Sequence, residues 1–237
     1  MAYFTASISN EPMIGAVKVV ATRDPSSPTD ATSVRVYRRD MSTTSTILIH
    51  TIPITSTSNL TFSFLDKNVL SGRRYRYTLT PYAGGTAKPA VVLNVDCAFD
   101  GIFVSDSTGE FMAALNSSYR VKQNTPVGYV QTLSSKYPHV IRNSLANYAS
   151  GSVEGIFMPF TDDCQPDIGN AGKYKRDAFE MLSNGEMKVL RTHDGYGWLV
   201  SVDSDASRGS DQFAHADTIA FNWTEVGEFP TTGVVML

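Results

Sequence analysis

Cysteine is nearly absent. Cys97 and Cys164 are the only two in 237 residues, too few for a disulfide framework or a cysteine-built metal cage. Cys97 sits in an apolar strand pattern that reads as a buried position, and Cys164 lies in an acidic loop rich in proline and glycine. A bridge between them stays open at this level. Long apolar runs are missing too, and nothing approaches the roughly 18–20 residues that carry a helix across a bilayer. Met1-Ala2-Tyr3-Phe4-Thr5 has no basic stretch ahead of an apolar core, so no secretory leader is expected.

The usual marks of chemistry are also lacking. No two of His50, His139, His193 and His215 stand four apart, and no HExxH occurs, which excludes the common helical zinc site. The Gly-x-Ser-x-Gly nucleophile turn is absent, and His193-Asp194 before Gly195-Tyr196-Gly197 reads as a polar turn. The run from Asp203 to Gly209 opens like a calcium loop, but its glycine comes one place late and its twelfth position is Ala214. Asp162, Asp163 and Asp167 could gather a hard cation, although a solvated acidic loop is the plainer reading. The spacing in Gly169–Tyr174 is wrong for a phosphate loop. The expectation is a non-enzyme without cofactor or metal, which works by presenting surfaces.

What is present is a folded composition, 42% hydrophobic and 18% charged, with charge unevenly shared. Residues 1–98 hold ten Lys/Arg against six Asp/Glu, a net +4, while residues 99–237 hold ten against seventeen, a net −7. The acidic second half argues against a nucleic-acid binder built there.

Residues 1–11 read as an irregular arm. Strands then follow at short spacing: Val17–Ala21, Thr32–Arg38, Ile47–His50, Leu60–Phe64, Arg74–Leu79 and Val91–Val95. The alternation is cleanest in Arg74–Leu79, with Tyr75, Tyr77 and Leu79 on the apolar face and Arg74, Arg76 and Thr78 on the wet one. So many short strands with turns between them describe a β-sandwich over 1–98. Leu70-Ser71-Gly72-Arg73-Arg74-Tyr75-Arg76-Tyr77 resembles the approach to the sixth strand of a fibronectin type III module, which makes Tyr75 and Tyr77 core and corner tyrosines.

From residue 99 to 237 the pattern is a second β-rich, barrel-like domain with one helix. Ile102–Asp106 and Phe111–Leu115 form a hairpin around Ser107-Thr108-Gly109, and strands near Tyr119–Lys122 and Gly128–Leu133 follow. The helix is expected over Tyr174–Leu182, with Tyr174, Ala178 and Met181 on one stripe and a stop at Asn184-Gly185. Strands at Met187–Arg191, Tyr196–Val202 and Thr218–Val226 close the set, the last with Ile219, Phe221 and Trp223 on one face.

At the centre of this half stands Lys136-Tyr137-Pro138-His139-Val140-Ile141-Arg142-Asn143, leading to Asn147-Tyr148 and on through Gly151 and Gly155. With Phe179, Leu182, Asn184-Gly185, Lys188–Arg191, Gly195–Trp198 and Phe221-Asn222-Trp223, this stretch resembles the phage tail-tip family that includes distal tail (baseplate hub) proteins. The resemblance covers about residues 101–228. Ser183 stands where a tryptophan is common, and the acidic loop at 161–169 belongs to this chain alone.

The resemblance implies a structural virion protein of a tailed bacteriophage, assembled in the host cytoplasm without membrane insertion. It implies a homo-oligomeric ring, six subunits by family expectation, joining the tail tube to other baseplate and tail-tip proteins, with DNA only as transiting cargo. The implied contact residues are Tyr137, Pro138, His139, Arg142, Tyr148, Tyr196 and Trp198. An acidic second half lining such a ring would repel the passing DNA. One rival reading is a carbohydrate- or cell-surface-binding module using Tyr196, Trp198 and Trp223; it requires them exposed together, whereas the alternation buries Trp223. Another is a wall hydrolase of the tail.

Overall fold

A computed structural model describes residues 2–131, 136–142, 147–161, 163–203, 206–209, 217–230 and 235–236 of the chain. It divides into two compact units. The first is Met1–Gly101 with Arg191–Gly197 and Phe229–Leu237; the second is Ile102–Leu190 with Trp198–Glu228.

Period-two alternation builds the first unit. Its strands are β1 (Phe4–Glu11), β2 (Ala16–Arg23), β3 (Ser33–Asp40), β4 (Thr46–Pro53), β5 (Phe62–Asp66), β6 (Arg73–Ala83), β7 (Thr86–Ala87) and β8 (Val91–Cys97). The expected irregular arm is in fact β1, paired with β2 along its whole length. Phe4, Ala6 and Ile8 alternate with Thr5, Ser7 and Ser9, a pattern that the serines disguise. A tight turn at Pro12–Ile14, closed by Gly15 at φ 55°, folds the strand back. One sheet runs β1-β2-β5, and the other runs β4-β3-β6 with β7 and β8 both on β6. Val17, Val19 and Phe64 from the first sheet and Val34, Val36, Tyr77 and Leu79 from the second are completely buried, as a sandwich requires.

Both tyrosines take their expected places. The Tyr75 hydroxyl accepts from the Leu70 amide at 2.9 Å, the hydrogen bond of a tyrosine corner, and burial pushes its phenol up to about 12. Tyr77 donates to Asp66 Oδ2 at 2.8 Å. Asp66 also takes both bonds of Arg38 Nη1, at 2.8 and 2.6 Å. Burial opposes the Arg38 charge, but the facing Asp66 carboxylate outweighs it and holds the guanidinium above its ordinary pKa. Cys97 is a free, buried thiol and Cys164 a free, exposed one.

The second unit carries β9 (Ile102–Ser105), β10 (Glu110–Asn124), β11 (Val127–Val130), β12 (His139–Arg142), β13 (Tyr148–Phe157), α1 (Ile168–Leu182), β14 (Lys188–Thr192), β15 (Gly197–Val202), β16 (Ser207–Gly209) and β17 (Thr218–Gly227). Pairing runs β13-β10-β9-β14-β15-β17, and β13 pairs β17 as well, so six strands close on themselves. The two strands expected at Phe111–Leu115 and Tyr119–Lys122 are one, β10, bulged between Leu115 and Ser118 with Asn116 at φ 48°. The last strand, β18 (Val235–Met236), belongs to the first unit, where it pairs β5.

Ile102, Val104, Ala113, Val153, Phe157, Val200, Ile219, Phe221 and Trp223 fill the barrel, joined by Ala178, Met181 and Leu182 of α1. The helix starts six residues before the expected Tyr174, because Asp167 caps it by accepting from the Asn170 amide at 3.1 Å. Gly169 and Gly172 weaken that first stretch, yet burial of Ala171 holds it in the helix. Tyr174 accepts from the Met112 amide at 2.7 Å, and its ring meets Phe111 edge-on at 4.9 Å. After the helix, Gly185 takes the left-handed φ of 76° anticipated for the stop.

A fully buried ion pair ties the turn after β9 to the far end of the helix. Lys188 Nζ lies 3.1 Å from Asp106 Oδ2 with both side chains inaccessible, and donates to Asn184 Oδ1 at 2.5 Å and the Glu186 carbonyl at 2.7 Å. Asp106 further accepts from Thr108 N and Oγ1 and from Asn184 Nδ2. Burial pushes its pKa up, but these hydrogen bonds and Lys188 together hold the carboxyl far below the usual range.

Two outcomes follow. A depressed folded pKa gives stability that is complete above the ordinary aspartate value, about 3.9, and that fades as pH falls towards the folded value. Asp106→Asn is therefore expected to cost about 3 kcal/mol at pH 7, since it strands a buried lysine, with the gap to wild type narrowing in urea titrations below pH ~4. Gly172 has open space where a Cβ would stand, so Gly172→Ala is expected to gain about 0.5–1 kcal/mol. A loss of stability there would contradict the early helix start.

Candidate interaction surfaces

The strands β11 and β12 form an arm outside the barrel's strand pairing. β10 and β13 stay paired out to Asn124 and Tyr148, whereas the third strand, β17, accompanies β13 only over Ser150–Gly155. Between them in sequence, β11 and β12 form a separate two-stranded sheet, pairing Val127 with Arg142, Gly128 with Ile141, Tyr129 with Val140 and Val130 with His139. In a strand pair, directly opposed residues share a face. Val127, Tyr129 and Val140 therefore lie on one face, and Val130, His139 and Ile141 on the other. Both faces are open: Tyr129 is 70% exposed, Ile141 59% and Val140 53%. An isolated two-stranded ribbon is marginal in water, and this one exposes apolar side chains on both of its faces.

The anticipated contact residues fall in three places. Tyr137, Pro138 and His139 are exposed at and just before β12, and Arg142 ends that strand. Tyr148 is partly exposed at the start of β13, and Tyr196 is exposed in the turn before β15. Trp198 packs against the barrel core, its ring 5.1 Å from Trp223 and 6.4 Å from Tyr119. Trp223 itself is 1% exposed, so the trio Tyr196, Trp198 and Trp223 presents no common open face. The reading by residues missed Val127, Tyr129 and Val130, whose apolar run looks the same as that of a core strand.

A second surface is the outer face of the sandwich sheet made by β4, β3, β6 and β8. With Val34, Val36 and Arg38 turned inward, β3 presents Arg35, Tyr37 and Arg39; β6 presents Arg74, Arg76, Thr78, Thr80 and Tyr82. The Arg35 guanidinium lies over the Tyr82 ring at 4.3 Å. A hydrogen bond between Tyr82 and Tyr37 lowers the Tyr37 phenol, with Arg35 adding to the fall, and raises that of Tyr82, where Arg35 opposes the rise. Arg76 Nε donates to Asn94 Oδ1 at 3.1 Å. Asp96, the carboxylate on this face, is 3.6 Å from Arg74 and widely exposed.

Concavities occur in both units, the one on the second unit a groove of about 540 Å³. A cavity of about 210 Å³ in the first unit is lined by Arg38, Asp40, Asn68, Leu70, Arg73 and Tyr75, and Arg73 there is paired with Asp40 at 2.8 Å. It falls short of the roughly 300–1,000 Å³ usual for ligand pockets. A shallow groove on the second unit runs past Arg120, Lys122, Ser150, Ser152, Asn222 and Thr224. Of the loop carboxylates considered for a cation, Asp167 is engaged as the helix cap and Asp162 lies outside the described residues. Among the described residues no three His, Cys, Asp or Glu side chains gather as a metal site would require. His215 and most of the calcium-like run after Asp203, including Ala214, also lie outside them.

No family model matches the chain, and no curated protein does. The surfaces must speak for themselves.

Proposed function

We propose that the chain is a structural virion protein of a tailed bacteriophage, forming a homo-oligomeric ring at the tail tip or baseplate between the tail tube and the host-recognition apparatus. The observation that carries this reading is the β11–β12 arm, which exposes valine, isoleucine and tyrosine on both faces. A monomer gains nothing from such an arm, whereas a neighbouring copy that covers it recovers about 25 cal/mol for each Å² of apolar surface removed from water. Closed cyclic symmetry would use every arm and leave none free for runaway growth. The resemblance of Lys136–Asn143 and the segments around it to tail-tip proteins supports the same reading. The net −7 of residues 99–237 suits a wall that DNA passes without sticking, because like charges repel within a Debye length of about 8–10 Å.

Light scattering on the purified protein is the test. The wild type is expected as a closed oligomer, six subunits by the family resemblance. Tyr129→Asp combined with Val140→Asp is expected to give a folded monomer with an unchanged β-type circular dichroism spectrum. Monomers alone at every concentration, and in virion extracts, would overturn the proposal.

A further inference from the structure

The outer face of the sandwich sheet has a chemistry of its own. Arg35 and Arg39 stand four residues apart on β3, about 13–14 Å at the usual rise of a strand, and Arg76 is the cross-strand partner of Arg39. Thr80 opposes Arg35 and Thr78 opposes Tyr37, with the Tyr82 hydroxyl bonded to that of Tyr37, and exposed Leu48 and Val92 flank them on β4 and β8. On this face of the described residues one carboxylate, Asp96, opposes four guanidiniums, and it lies at the end beside Arg74. A solvated surface needs only charge of either sign. Guanidiniums of one sign, spaced along two adjacent strands among hydroxyl groups, match an acceptor-rich anionic chain: the planar fork of arginine takes phosphate oxygens in pairs, and threonine and tyrosine hydroxyls suit the hydroxyl groups of a polyol.

We infer that this face binds a flexible polyol-phosphate polymer, lying along β3 and β6 with its phosphodiesters on Arg35, Arg39 and Arg76. Two features favour such a chain over nucleic acid. Single strands are held by open aromatic platforms on which bases stack, but the Tyr82 ring is already covered by Arg35 and Tyr37 is tied to it. Duplex DNA is stiff over about 150 base pairs and would meet a flat sheet along a narrow line, whereas a flexible single chain can follow the strands. The inference does not require the ring, because the face is complete within one copy.

The probe is a poly(glycerol phosphate) of defined length, titrated into the full chain by calorimetry at several salt concentrations. Wild type is expected to bind with an affinity that falls as salt rises. Removing three phosphate contacts by Arg35→Gln, Arg39→Gln and Arg76→Gln together is expected to weaken binding about 100-fold at low salt and to flatten the log–log salt slope by about 2. Lys122→Gln, in the second unit, is expected to leave binding unchanged. Should the triple variant melt early, the single changes Arg35→Gln and Arg39→Gln carry the same test, each with a several-fold loss. The inference is overturned if the polymer does not bind or if the arginine variants bind like wild type. It is equally overturned if polyglutamate or a DNA duplex at equal charge concentration binds as tightly, which would reduce the face to a general polyelectrolyte patch. A monomer that binds would sink the ring alone, and a ring that fails to bind would sink this inference alone.

Discussion

The pairing of β13 with β17 is the constraint from which the second unit takes its form. It turns an open run of strands into a closed one, and closure is what removes sheet edges. It also ends abruptly: Ser150–Gly155 has β17 on one side and β10 on the other, while Tyr148 and Ala149 have β10 alone. Gly151 sits at the crowded point. A Cβ there would strike the Arg120 carbonyl and stand 2.9 Å from the Trp223 ring, so the lack of a side chain is what lets the ring seal over β13. Ala149 still packs into the barrel core, its amide donating to the Glu225 carboxylate of β17 at 2.6 Å, and beyond it β11 and β12 form a two-stranded sheet of their own.

Buried charge gives each unit a fixed register. In the sandwich, Asp66 gathers Arg38 and Tyr77 between the sheets. In the barrel unit, Asp106 gathers Thr108, Asn184 and Lys188. A buried carboxylate with all its partners constrains where the surrounding elements can sit, because any slip leaves a charge unpaired in a low-dielectric interior. These sites hold scaffolds, and the surfaces that can meet other molecules lie elsewhere, on the arm and on the arginine-bearing sheet face.

Much of this was legible in the residues. Strict alternation in Arg74–Leu79 and Thr218–Val226 assigned both strand and inward face, down to Trp223 in the core. Tyr75 and Tyr77 were marked together as core and corner tyrosines by the stretch Leu70–Tyr77 that they close. Other features were hidden for physical reasons. β1 was masked by serines, since an edge strand tolerates small polar residues where a central one does not. The helix start was masked by Gly169 and Gly172, whose weak propensity is overridden by the Asp167 cap and the burial of Ala171. Val140 and Ile141 read only as an apolar strand, because an apolar run carries no mark of whether its partner lies in the same chain. Arg35, Tyr37 and Arg39 alternate plainly, but their union with Arg76 and Tyr82 depends on the β3–β6 register, which one strand alone does not reveal.

The central claim is that the arm is covered by another copy of the chain. Hydrogen exchange of the backbone amides in residues 127–130 and 139–142, measured on concentrated and on highly diluted protein, addresses it directly. The account predicts slow exchange at high concentration and fast exchange after dilution, with the amides of β13 and β17 protected throughout. Fast exchange in the arm at every concentration, beside a protected barrel, would contradict it.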